Sequence, residues 1–247
     1  MMASMRRILG ELLVTAGVVV LLFVIWQVWW TSVIADRDAS KVVAELQQIL
    51  AQPVATAPTG TPTASATPQP GGSATGSPTE TPKTPKATPP SLGSAFALLR
   101  VPRFENGVLP VYEGTGNDVL QRGVGHYVDS ALPGEIGNFA VAGHRRTYGD
   151  PFDYINLLVP GDAVIVETAQ GYLVYRITGS EIVPPSQSSV LLPVPNQPGE
   201  APTEAVMTLT SCHPRYGSGE RYIAYADLDA TYTRAEGLPA SLLTVGG

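Results

Sequence analysis

One cysteine, Cys212, stands in 247 residues, so no intrachain disulfide is available to staple the fold. Lysine is missing altogether from residue 93 onward, where nine arginines face sixteen acidic side chains, a net of −7. An acidic, lysine-free segment excludes nucleic-acid binding, which needs a basic face to displace counterions. There is no Cys-x-x-Cys, no His-Glu-x-x-His and no acidic EF-type calcium loop, so no metal or cofactor is called for. No internal repeat is visible, and residues 52–92 contain no aromatic residue.

What is present is uneven along the chain. Arg6 and Arg7 precede an apolar run over residues 12–33, long enough to cross a bilayer core of about 30 Å as a helix. Trp26, Trp29 and Trp30 gather near its end, as indoles do at a membrane interface, and the arginines put residues 1–11 in the cytoplasm. The competing reading is a cleavable signal peptide ending near Val33-Ile34-Ala35, though an ordinary apolar core of that kind has only about 7–15 residues.

Over residues 34–51, Val42, Val43, Leu46, Ile49 and Leu50 recur at helical spacing, which predicts a helical stalk whose stripe packs on a partner or on headgroups, or else a frayed polar extension. Residues 52–92 hold ten prolines among Thr, Ala, Ser and Gly and read as a disordered linker. At about 3.1 Å per residue in polyproline II, it would carry the remainder roughly 100 Å from the bilayer.

Residues 93–247 form the expected globular domain, with short apolar segments set off by Gly, Pro, Asn and Asp, the pattern of an all-β barrel or sandwich with small helices. Strands are expected at 96–101, 109–112, 139–142, 163–168, 172–177, 205–211 and 222–227. Helices are expected near 117–122 and near 151–157, the latter capped by Asp150 with Pro151 at its first position. Residues 184–202, with six prolines, read as a long loop.

The chemistry concentrates at Cys212. Ala205 to Ser211 alternates and is rich in β-branched residues, so the cysteine sits at a strand end, and Arg221 returns on a second strand nine residues later. A thiol becomes a competent nucleophile beside a cation or a base. Arginine holds its charge and suits an oxyanion, whereas proton transfer needs a histidine. His213 points away from its neighbour in an extended chain. His144 ends the apolar run 139–143 at another strand end and is the best placed. His126 remains open as a wall residue, a supporting neighbour or a surface histidine.

Thr208-Leu-Thr-Ser-Cys212, Arg221 at its spacing and Ala142-Gly-His144 together resemble the signature of sortases, in the family's order of histidine, cysteine, arginine. Gly125-His-Tyr127, Leu132-Pro-Gly-Glu135, Gly143 to Gly149 and Cys212-His-Pro214 are most similar to class E sortases of high-GC Gram-positive bacteria. The resemblance implies an eight-stranded sortase β-barrel, preceded by one transmembrane helix and the Pro/Thr-rich linker, with no cofactor.

It also implies a membrane-anchored extracellular cysteine transpeptidase acting on secreted proteins with Leu-Ala-x-Thr-Gly or Leu-Pro-x-Thr-Gly sorting signals. Cys212 would attack, His144 would shuttle the proton, and Arg221 would hold the oxyanion. A peptidoglycan-precursor stem amine or a pilin lysine would accept the acyl group. Thr210, Ser211, His126 and Tyr127 are candidates to line the substrate or support the catalytic groups. Ser211 departs from the family's Thr, keeping a hydroxyl and losing a methyl. Arg145-Arg146 reads as a solvated pair or a substrate contact. The rival readings are another exported cysteine acyltransferase or peptidoglycan hydrolase, and a non-catalytic tethered β-domain.

Overall fold

Two periodicities divide the chain, 3.6 residues before position 51 and two residues after position 95. The computed structural model describes residues 2–51, 89–104 and 107–245, and side chains at 2–9, 25 and 27–38 lie outside that description. The expected linker falls outside the described residues except for its last four.

Helix α1 (Met2–Ala51) runs without a break through both the apolar run and the stalk. Among the described residues no helix is long and apolar enough to cross a membrane. Residues 27–33 of the expected span lie where side chains are not described, so the span is not part of the fold as established. The stalk's stripe has a definite partner. Leu46 and Leu50 are buried against Leu98, with Val43, Ala95, Val108 and Ala169 around them, so the helix packs on its own domain.

Eight strands close into a barrel in the order β1-β2-β3-β4-β7-β8-β6-β5. They are β1 (Ala95–Arg100), β2 (Val108–Glu113), β3 (Val124–His126), β4 (Gly137–Ala142), β5 (Ala163–Thr168), β6 (Gly171–Val183), β7 (Ala205–His213) and β8 (Glu220–Thr233). The expected β5 has the predicted bounds, whereas β6 and β8 run on as a long antiparallel pair, from Gly171↔Thr233 to Val183↔Arg221. Two neighbours, β2–β3 and β4–β7, are parallel and so need crossovers. The first crossover carries the short helix α2 (Asn117–Leu120), as expected; the second contains β5 and β6.

Alternation sorts the side chains. Phe139 and Val141 of β4, Met207 and Leu209 of β7, and Ala224 and Ala226 of β8 point into one core with Leu99, Val111, Val164, Val166 and Tyr175. Their sequence neighbours, including Thr208 and Thr210, therefore face outward.

Two expectations fail for physical reasons. The helix near 151–157 does not form: Asp150 has a left-handed backbone (φ 50°), outside the extended conformation of a helix cap, and Phe152 N–H folds back onto the His144 carbonyl at 3.0 Å. Only the 3-10 turn Ile155–Leu157 remains. Strand β3 was hidden because Gly123 and Gly125 read as breakers. They permit close approach: a Cβ on Gly125 would fall 2.4 Å from the Gly114 carbonyl oxygen.

The docking of α1 is open to direct measurement. In a Cys212→Ala background, spin labels at exposed Gln48 and Gln170 should give a narrow short-range distance distribution. Leu46→Glu with Leu50→Glu, which buries two carboxylates in the contact, should broaden it toward long distances. A broad distribution in the parent would mean that the helix does not dock.

Candidate active site

The parallel ladder between β4 and β7 pairs Ala142 with Thr210, and Gly143 N–H carries it one step further to the Thr210 carbonyl at 3.1 Å. Two residues further along each chain stand His144, past the end of β4, and Cys212. The antiparallel ladder between β7 and β8 pairs Cys212 directly with Arg221. Because Thr210 and Ile223 face outward, alternation puts Cys212 and Arg221 on the outer face. His144 follows the end of β4, the strand on the other side of β7, so the three residues expected from sequence as catalytic stand at or just past the ends of three adjacent strands.

Each sits in a distinct environment. Cys212 is a free, half-buried thiol. His144 is half buried, its ring packs on Tyr148 at 5.2 Å, and burial pushes its imidazole below the ordinary value of 6.5. Among the described residues its Nε2 is buried with no hydrogen-bond partner. An unsatisfied buried nitrogen costs about 1–3 kcal/mol, so it is an atom that a polar group of a bound molecule can satisfy. Arg221 donates from Nη1 to the carbonyls of Ser218 (3.0 Å) and Glu220 (2.9 Å), which ties the guanidinium to its own loop.

The hydroxyls beside the cysteine have different tasks. Thr210 Oγ1 donates to the Val141 carbonyl (3.2 Å) and lies 3.2 Å from the Tyr127 hydroxyl, so Tyr127 and Thr210 share the outer face below Cys212. Ser211 Oγ donates to the Gly143 carbonyl at 2.8 Å, a bond between β7 and the residue before His144 that serine makes without the missing methyl. The 184–202 loop covers the same face. Val190 packs with Val183 and Ile223, and the Asn138 side-chain amide donates to the Val190 and Leu192 carbonyls at 3.2 and 3.1 Å.

His126 is neither at the surface nor beside the thiol. It is buried with both ring nitrogens engaged: Nδ1 with Glu113 Oε2 (2.9 Å), and Nε2 with the Ala131 carbonyl (3.0 Å) and Ser130 Oγ (2.9 Å). A carbonyl only accepts, so Nε2 carries a hydrogen, and the Nδ1–Glu113 contact shares one further proton within a pair of zero net charge. This pair and Ser130 brace the turn that presents Tyr127.

Sequence reasoning missed two groups. Arg145 is not solvated but 4 % exposed, and it reaches the main chain of Cys212. Its parity relative to His144 was the available signal, because an extended chain turns it to the inner side. Asp153, also 4 % exposed, accepts from Arg215 Nε (2.7 Å) and Nη2 and from Arg146 Nη1 (3.1 Å). It thereby fastens the segment after His144 to the loop after Cys212. Nothing in the local sequence marks it.

Comparisons with known proteins bear on the fold that carries these residues. Residues 99–229 match the sortase domain family. The chain belongs to the sortase family. It is 36 % identical over 246 residues to sortase SrtE1 of Streptomyces coelicolor, covering 96 % of this chain and 61 % of that protein, so it spans less than two thirds of that relative. Sortase SrtE2 of the same organism is 33 % identical, over 93 % of this chain and 84 % of that one. Among solved sortases, SrtA of Actinomyces oris superposes with a TM-score of 0.62 at 42 % identity, covering 68 % of this chain and 97 % of that one. Sortase E1 of S. coelicolor, solved with a tripeptide in its active site, superposes with a TM-score of 0.56 at 40 % identity, covering 61 % and 97 %.

The Asp153 clamp in this sortase predicts a pH-dependent loss. The Arg215 hydrogen bond, ahead of the opposing effect of burial, holds the Asp153 carboxyl below its ordinary 3.8. Its stabilisation is therefore complete above pH 3.8 and lost as pH falls through the lower folded value. Asp153→Asn should destabilise at pH 7 by about 2 kcal/mol, less than a fully buried pair because both arginines reach solvent. Denaturant titration of both proteins should show the difference shrinking below pH 3.8. An unchanged difference at pH 2.5 would mean that packing, not charge, is what Asp153 supplies.

Proposed function

We propose that this sortase is a membrane-anchored cysteine transpeptidase that cuts a Leu-Ala-x-Thr-Gly or Leu-Pro-x-Thr-Gly sorting signal between Thr and Gly and passes the protein to an amine of the cell wall. The observation that carries the reading is the direct pairing of Cys212 with Arg221 at the end of β7, with His144 just past the end of neighbouring β4 and its Nε2 without a hydrogen-bond partner among the described residues. The tripeptide in the site of the S. coelicolor enzyme supports a peptide as the occupant.

The steps follow from the groups. Cys212 Sγ attacks the threonine carbonyl carbon while its proton passes to His144, which burial keeps neutral and receptive in the resting enzyme. Charge developing on the carbonyl oxygen is met by Arg221, whose Nε and Nη2 have no intramolecular partner among the described residues. The carbon–nitrogen bond then breaks, His144 returns the proton to the leaving glycine amine, and a thioester on Cys212 remains. An incoming amine attacks that carbon, gives its proton to His144 and forms the new amide, and the cysteine leaves and takes the proton back. The acceptor is a peptidoglycan-precursor stem amine or a pilin lysine.

Membrane anchoring belongs to the same proposal. Residues Leu12, Leu13, Val14 and Val18 to Val24 of α1 are 52–68 % exposed, an apolar surface that a bilayer would cover. The catalytic domain then lies outside the cell.

Full-length protein in detergent, given each signal peptide and triglycine, should release the Gly-terminated fragment and form the triglycine adduct. Mass spectrometry should trap the Thr-terminated peptide on Cys212. Cys212→Ala should abolish both products, and His144→Gln or Arg221→Ala should lower kcat/KM by about 100-fold or more. Cleavage of neither peptide, with Cys212 unmodified, would falsify the reading. NMR of the His144 ring should place its titration below pH 6.5; a midpoint above 7 would mean that the imidazole rests protonated and cannot take the thiol proton.

A further inference from the structure

Two guanidinium groups flank the end of β7, one on each side. Arg221 lies on the outer face with the thiol. Arg145 lies on the other side, beside His213 and Tyr222, and it is 4 % exposed. Burying a guanidinium is costly, and burial pushes its pKa down, with the field of Asp153 partly opposing that and the field of Arg215 adding to it.

Its partners are specific. Nη1 donates to the Cys212 carbonyl (3.2 Å) and to His213 Nδ1 (3.1 Å), and Nη2 donates to Asn156 Oδ1 (2.6 Å). All three are neutral acceptors, and the guanidinium carbon stands 5.8 Å from the Tyr222 ring centroid. One planar fork therefore joins the exit of β4, the end of β7 and the 3-10 turn Ile155–Leu157.

Two consequences are chemical. The peptide joining Cys212 to His213 is held by its carbonyl, which fixes the Cα–Cβ direction of the nucleophile from beneath. Arginine can only donate, so His213 Nδ1 must accept and its hydrogen sits on Nε2. The ring rests against Tyr222 at 6.1 Å. The second histidine beside the thiol is thereby held in one tautomer, turned away from the outer face.

We propose that Arg145 is a positioning residue of the transpeptidation reaction: it fixes the main chain of Cys212 and holds His213 out of proton transfer, leaving that task to His144. This rests on the reading of Cys212 as the nucleophile. Lysine offers a charge without a fork, so it replaces only part of the function.

The test uses the full-length protein in detergent with the sorting-signal peptide that the wild type cleaves. Arg145→Met should lower kcat by about 50- to 100-fold with KM within about twofold, the pattern of a misplaced nucleophile. Arg145→Lys should recover about tenfold of that loss. With 15N-labelled histidine at pH 7, the wild type should show His213 with Nδ1 bare and Nε2 protonated, and Arg145→Met should show mixed tautomers. The spectrum needs no turnover, so it separates this proposal from failure of the transpeptidase reading. If Arg145→Met does not fold, Arg145→Lys and the wild-type spectrum decide. Wild-type kcat in the folded variants, or a protonated His213 Nδ1 in the wild type, overturns the proposal.

Discussion

The parallel pairing of β4 with β7 is the constraint on which the candidate site depends. No turn joins these strands, since β5 and β6 intervene, so register is set by packing alone: Phe139 and Val141 against Met207 and Leu209. A slip of one residue would reverse every face, carrying Cys212 inward and His213 outward. Six paired positions and a full apolar layer oppose that slip. The β7–β8 hairpin needs less support, because its loop fixes Arg221 opposite Cys212. The geometry of the candidate site is thus a by-product of core packing, and the loops carry only the last residue or two of reach.

Strand ends fray unless something holds them, and here polar groups do so from both sides. Ser211 bonds the Gly143 carbonyl, Asp153 fastens the two flanking loops, and Arg145 grips the Cys212 carbonyl from within. Gly143 has a packing reason to be glycine, since a Cβ there would lie 2.8 Å from the Phe152 ring. The His126–Glu113 pair does the equivalent work one strand over, beneath Tyr127. These groups are expensive to bury, and each is placed where a shift would displace a residue of the candidate site.

Periodicity made the barrel legible where strands alternate cleanly, as in β5, and failed where glycine serves close approach, as at Gly125 in β3. The candidate trio was legible because each member stands at the edge of a strand-like run, which is a local property. Arg145 and Asp153 were not, because their meaning lies in partners up to 68 residues away. The Asp150-Pro151 helix start was misread for the opposite reason: good local signals lost to a tertiary bond between Phe152 and His144.

Helix α1 is fastened to the barrel it precedes. Burying a leucine yields about 1.5–3 kcal/mol, so Leu46 and Leu50 together contribute about 3–6 kcal/mol to that contact. Leu98 of β1 receives them on the outer face of the sheet, because its neighbours Ala97 and Leu99 point into the main core.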